Sequence, residues 1–165
     1  MALDRSVLIT GCSDDGIGSA LAILFQQRGY HVFATARNPD KMSKLKDLSN
    51  VTLLTLDVTE PAHIADAVTA VSTVTGGTLN YLINNAGHNH YMPILDDTIE
   101  DAKQIYDSNV WGPLRVTQAF APLVIKAQGT IVFITSIGGY VNTPFTGKAI
   151  YIASLVALCS INVLN

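Results

Sequence analysis

Nine residues, Thr10-Gly11-Cys12-Ser13-Asp14-Asp15-Gly16-Ile17-Gly18, set three glycines between an apolar run and a helical pattern. Ser6-Val7-Leu8-Ile9 precede them, and Ile17, Leu21, Leu24 and Phe25 recur at helix spacing. A strand, a glycine-rich turn and a helix in that order can cradle a phosphate. The glycines lack Cβ atoms, so backbone amides can approach a pyrophosphate, and the helix N-terminus adds donors and partial positive charge. The chemistry expected here is dinucleotide binding. Four residues, Cys12 to Asp15, lie between the first two glycines, and acids beside a phosphate are unfavourable unless they face solvent.

A second chemical choice falls at the end of the next strand. A carboxylate there would hydrogen-bond a ribose 2′-hydroxyl, whereas an arginine accommodates a 2′-phosphate. The chain has Ala36-Arg37-Asn38 and no acid. Arg37 offers a planar fork suited to phosphate, with Ser13 assisting from the loop; the plain alternative is a surface arginine in a turn. The expected cofactor is NADP(H) in preference to NAD(H).

Other chemistry-bearing residues read more quietly. His88 and His90 are close in sequence but no third ligand accompanies them, so they are expected to border a substrate cleft, and no metal site is expected. Cys12 lies near a helix N-terminus, where thiols can be reactive, yet a packing role is expected. Trp111 is expected to pack at a helix start. Asp57, taken alone, is a helix cap or turn residue.

These residues need a scaffold, and strand and helix patterns alternate along the whole chain. Residues 30–36 form a second strand, followed by a turn at Asn38-Pro39 and a short polar helix to about Leu48. Residues 51–56 form a third strand, and Ile64, Ala67, Val68, Val71 and Val74 lie on one face of the next helix. Residues 79–83 form a fourth strand. Asp97 and Glu100 have capping-box spacing for a helix to about Ser108. Val116, Ala119, Phe120 and Leu123 mark a further helix, with Pro122 expected to kink it and Gly129 to end it. Residues 130–135 form a fifth strand. The βαβα order predicts a single domain over residues 1–165, an α/β Rossmann-like doubly wound parallel sheet.

Composition agrees. Of 165 residues, 48% are hydrophobic and 14% charged, which suits strands buried on both faces. A formal net charge of −3 with no basic cluster argues against nucleic acid. No apolar run approaches the ~20 residues of a membrane helix. Residues 1–5 lead straight into the first strand, so no secretory signal is expected and a cytoplasmic location is. Cys12 and Cys159 do not make a disulfide framework.

The glycine-rich loop, Asp57-Val58, Asn84-Asn85-Ala86-Gly87, Asn109, and Ser136 with Tyr151 come in an order that resembles the short-chain dehydrogenase/reductase family from about Val7 to Ser154. The Thr10-Gly11-Cys12-Ser13 opening is also similar to fungal reductases of the 1-acyl-dihydroxyacetone-phosphate reductase kind. The resemblance implies an oxidoreductase that interconverts a carbonyl and an alcohol by hydride transfer. It implies cofactor binding by Gly11, Ser13, Gly16, Ile17, Gly18 and Arg37, and by Asp57 and Val58 at the adenine. Asn85, Ala86 and Gly87 would support the ribose. It implies catalytic roles for Ser136, which positions the carbonyl, Tyr151, whose phenol passes the proton, and Asn109, which holds a relay water. A small carbonyl or alcohol substrate follows, and a homo-oligomer is possible through the helices after Trp111 and Tyr151.

The chain departs from the family near its end. Four residues after the tyrosine the family has a lysine, and here position 155 is Leu155. An unperturbed phenol is ionised in about one molecule in a thousand at neutral pH, and a neighbouring ammonium favours the phenolate. Lys148, three residues before Tyr151, lies on the loop side, in a Ser136–Tyr151 connection about two residues longer than the family norm. The family's last helix and two strands have no counterpart before Asn165, so a truncated member is expected, with the fifth strand as an edge. Three readings follow. The chain is an enzyme with doubtful activity, a non-catalytic nucleotide-binding or partner-binding remnant, or the product of a mis-spliced C-terminus.

Overall fold

A computed structural model of the chain describes residues 5–93, 95–137, 151 and 154. Five strands, β1 (Ser6–Ile9), β2 (His31–Ala36), β3 (Val51–Thr55), β4 (Tyr81–Asn84) and β5 (Thr130–Phe133), form one parallel sheet in the order β3-β2-β1-β4-β5. Ile9 stands opposite Ala34 on one side and Ile83 on the other, so the ends of the central strands are level. The order reverses between β1 and β4, and in a doubly wound sheet that switch point opens a crevice beyond the strands' carboxyl ends.

Side chains alternate across the sheet and build a core on each face. On one face Leu8, Phe33 and Leu82 meet α2 (Pro61–Thr75) and α4 (Gly112–Lys126) through Ile64, Val71, Val116 and Phe120. On the other, Val7, Ile9, Val32 and Ala34 meet Ala22 of α1 (Ile17–Gln27) together with Met42 and Leu45. Each large apolar side chain buried this way contributes about 1.5–3 kcal/mol.

Several elements differ from the sequence expectation for physical reasons. Residues 39–48 do not form one polar helix but two short 3₁₀ turns, Pro39–Lys41 and Ser43–Leu45. Their fully buried Met42 and Leu45 anchor them to the sheet, which a helix of polar character would not do. In α1 the buried residues are Gly18, Ser19 and Ala22, while Ile17 is 63% exposed and Leu24 40%. Small residues let the helix approach the sheet closely. In α2 Val74 faces solvent and Thr75 is buried instead, its hydroxyl donating to Val71 O at 2.8 Å.

Helix α3 (Ile99–Tyr106) starts one residue later than the Asp97/Glu100 spacing implied. Thr98 is its cap, with Oγ1 accepting from Asp101 N at 3.0 Å and donating to the Asp101 carboxylate at 2.7 Å. Asp97 instead turns inward to His90, Nε2 to Oδ1 2.9 Å. The chain then makes a π turn, Asp107–Trp111, which leads into α4 and is braced by Arg115 Nη2 on Asp107 Oδ1 at 2.7 Å. Trp111 does stand at the helix start, but it is half exposed beside Ile99 rather than packed. Helix α4 runs unbroken through Pro122, whose side lies toward solvent. Lys148, Leu155, Cys159 and the helix expected after Tyr151 lie outside the described residues.

Candidate active site

The crevice is built around Thr10, the residue that follows β1. Its backbone N–H donates to Ile83 O at 3.0 Å, continuing the ladder to β4. Its Oγ1 accepts from Asn85 N at 3.0 Å and Ala86 N at 2.9 Å. In return the Asn85 side-chain amide donates to Thr10 O at 2.8 Å and Gly11 O at 2.9 Å. The loops after β1 and β4 are thereby laced together, and Asn85 is fixed by contacts within the protein.

Two glycines are required by this lacing. Gly11 adopts φ 74°, in the left-handed region that costs L side chains. A Cβ on Gly18 would lie 2.4 Å from Gly11 O and 2.6 Å from Asn85 Nδ2, closer than atoms can approach. Gly16 caps α1 without a side-chain hydrogen bond, so the cap residue itself leaves the first-turn amides open. Both acids of the loop are engaged by the connection between β2 and β3, Asp14 from the border of the cleft. Asp14 accepts from Ser43 N at 2.9 Å, Ser43 Oγ at 2.7 Å and Lys44 N at 3.1 Å, and Asp15 forms an ion pair with Lys44. Hydrogen bonding, first from the Ser43 hydroxyl, holds the Asp14 carboxyl below its ordinary value, and the Asp15 partner raises Lys44.

A cleft of about 390 Å³ is lined by Gly11, Ser13, Asp14, Gly16, Ile17, Arg37, Asp57, Val58, Asn85, Ala86 and Gly87, among others. Every expected cofactor residue is among them except Gly18, which packs beneath the loop instead. Arg37 is exposed and makes no hydrogen bond or ion pair with another described residue. Asp57 Oδ1 accepts from Thr59 N at 3.0 Å and Thr59 Oγ1 at 2.8 Å, an Asx turn at the end of β3. Burial pushes the Asp57 carboxyl up, but the Thr59 donors, Arg37 and His63 outweigh it and hold it below its ordinary range. The Val58 side chain is buried, and a Cβ on Gly112 would come within 2.5 Å of its Cγ2, so α4 must begin with a glycine there.

A second cleft, about 280 Å³, shares Ile17, Asn85, Ala86, Gly87 and His88 with the first and adds Asn109, Ser136 and Tyr151. The two form one trough, and the three expected catalytic residues line its far part together. The exposure of Ile17 has its explanation here, since its side chain faces both clefts. Asn109, buried within the π turn, grips the His88 backbone from both sides: Oδ1 accepts from His88 N at 3.1 Å and Nδ2 donates to His88 O at 3.1 Å. Nδ2 also donates to Ser154 Oγ at 3.2 Å, and Ser154 Oγ donates to Tyr151 O at 2.7 Å. His88 borders both clefts, as expected of a cleft residue, and burial, then Arg37 and His90, lower its imidazole below the ordinary value. Cys12 is fully buried and burial pushes its thiol up to about 12, which fits packing and not reactivity.

Thr10, Ser43, His63 and Ser154 are site residues that the sequence pattern missed. Each is a common polar residue whose partner is set by the fold; Thr10 and Ser154 sit inside recognisable motifs, but their hydrogen-bond roles are not readable from the motif.

The family model for short chain dehydrogenases matches residues 5–162. The chain belongs to that family. A short-chain dehydrogenase of Penicillium crustosum is 51% identical over 158 residues, covering 96% of this chain and 58% of that protein. An NADPH-dependent 1-acyldihydroxyacetone phosphate reductase of Schizosaccharomyces pombe is 43% identical over 158 residues, covering 96% of this chain and 52% of that protein. Among solved structures, an NADPH-bound carbonyl reductase from chicken fatty liver has a TM-score of 0.84 at 31% identity, covering 96% of this chain and 71% of that one. This short chain dehydrogenase thus spans about half the length of the curated relatives it matches. No helix among the described residues is long and apolar enough to cross a membrane.

Proposed function

We propose that this short chain dehydrogenase binds NADP(H) and belongs to an enzyme that interconverts a carbonyl and an alcohol. The observation that carries the reading is Arg37: its guanidinium makes no hydrogen bond or ion pair with another described residue, its charge acts on nearby Asp57, and it lines the same trough as Ser136 and Tyr151. A carboxylate acceptor for a 2′-hydroxyl is lacking at the end of β2, and the fork of Arg37 suits a 2′-phosphate. The loop supports the fit, because Gly11, Gly16 and Gly18 leave amides at the N-terminus of α1 open to a pyrophosphate.

When bound, the cofactor supplies the hydride. The chain's own residues would do the rest. Asp57 would accept from the adenine amino group, and Asn85 to Gly87 would border the ribose. Ser136 would orient the substrate oxygen and Tyr151 would pass it a proton. Asn109 would hold a relay water and fix the His88 wall of the cleft.

A second reading, nucleotide binding without turnover, is favoured by Leu155 standing where the family has its lysine. Fluorescence titration separates the readings in steps. NADPH should bind at least tenfold tighter than NADH, and Arg37→Ala should erase the difference; equal affinities would overturn the cofactor assignment. NADPH oxidation with an aldehyde or ketone panel should then be lost in Tyr151→Phe and raised in Leu155→Lys. Binding without turnover in either form would support the second reading.

A further inference from the structure

The loop accommodates four residues between its first two glycines by setting Asp15 in the left-handed region, φ 64°. That conformation brings both acids to the connection between β2 and β3. Asp14 N donates to Lys41 O at 2.7 Å, and the Asp14 carboxylate takes three donors from Ser43 and Lys44. The same connection begins at Arg37, continues through the Asn38 side chain capping Asp40 N at 2.9 Å, and is anchored by buried Met42. Thus the stretch carrying Arg37 is tied at its far end to the glycine loop carrying Ser13.

We propose that Asp14 is a specificity-positioning residue of the cofactor site. Its grip on Ser43 and Lys44 fixes the connection that presents Arg37, and so selects a dinucleotide with a 2′-phosphate over one with a free 2′-hydroxyl. The inference rests on the assignment of Arg37 to that phosphate. Simple charge reasoning predicts the opposite sign. Removing a carboxylate beside an anion site should strengthen phosphate binding through Coulomb's law. Removing a clasp that orders the arginine should weaken it, because an arginine that must be ordered on binding gives back part of the contact.

The test is a titration of wild type, Asp14→Ala and Ser43→Ala with NADPH and with NADH at one ionic strength, followed by cofactor fluorescence. Asp14→Ala should lose NADPH affinity at least tenfold while NADH affinity stays within twofold, and Ser43→Ala should shift in the same direction by less. Asp14→Ala binding NADPH as tightly as wild type or more so, or losing both cofactors in parallel, overturns the proposal. Circular dichroism checks the fold; if Asp14→Ala does not fold, Ser43→Ala decides, and an unchanged NADPH to NADH ratio there overturns it. Wild type showing no preference for NADPH would instead fail the assignment of Arg37, and the clasp would fall with it.

Discussion

Thr10 shows how much of this site hangs on one hydroxyl. Two backbone amides of the β4 loop end on its Oγ1. Thr10→Val keeps the shape and removes the acceptor, leaving two amides unpaired at about 1–3 kcal/mol each. A loss of ~2–6 kcal/mol in urea unfolding is expected, and a loss below ~0.5 kcal/mol would mean that water replaces the hydroxyl. At this scale the sequence was legible where the chemistry is local. Three glycines before a helix, and an arginine at a strand end, carry their meaning in their neighbours. Thr10 and Asn85 lie 75 positions apart, and Asp14 and Ser43 lie 29 apart, so no window along the chain could pair them. For that reason Asp14 and Asp15 stand in the sequence only as acids near a phosphate loop, whereas the fold uses them as ties.

Among the elements, the five strands and the main helices were legible because apolar periodicity survives burial on both faces of a parallel sheet. The stretch over residues 39–48 was not, since its two short turns are held by two buried side chains and by Asp14, none of which is a periodic signal. The cap of α3 failed by one residue because Asp97 and Thr98 are both good caps, and the choice between them was made by His90. Thr98→Ala should therefore cost about 1 kcal/mol, read as a lowered Tm, while removing the Glu100 side chain should leave Tm nearly unchanged. A π turn widens the backbone by one residue per bond and is frequent at functional sites. Here it sets Asn109 against both polar groups of His88, a contact that the helical spacing did not suggest.

For the molecule as a whole, the buried Cys12 thiol gives stability a dependence on alkaline pH. Its folded value is raised to about 12, above the ordinary thiol value of about 8.5, so the folded state holds a proton that the unfolded chain releases. The contribution is therefore complete below about pH 8 and is lost as pH rises toward 12, at a limiting slope of about 1.4 kcal/mol per pH unit. Urea midpoints should fall more steeply between pH 8 and 10.5 in wild type than in Cys12→Ala; parallel slopes would mean that the thiol ionises freely. At the acid end the sign reverses. Asp57 and Asp14 are held low, so their contribution is present above the ordinary carboxylate range and disappears as pH falls through their lower folded values. The amide of Asn85 has one more consequence, and it concerns time. Because its two protons are already engaged by Thr10 O and Gly11 O, the loop carbonyls are held inward before any ligand arrives. Capture of the dinucleotide should then be a single encounter with a ready-made cradle, and the observed stopped-flow rate should climb linearly with NADPH concentration without reaching a plateau.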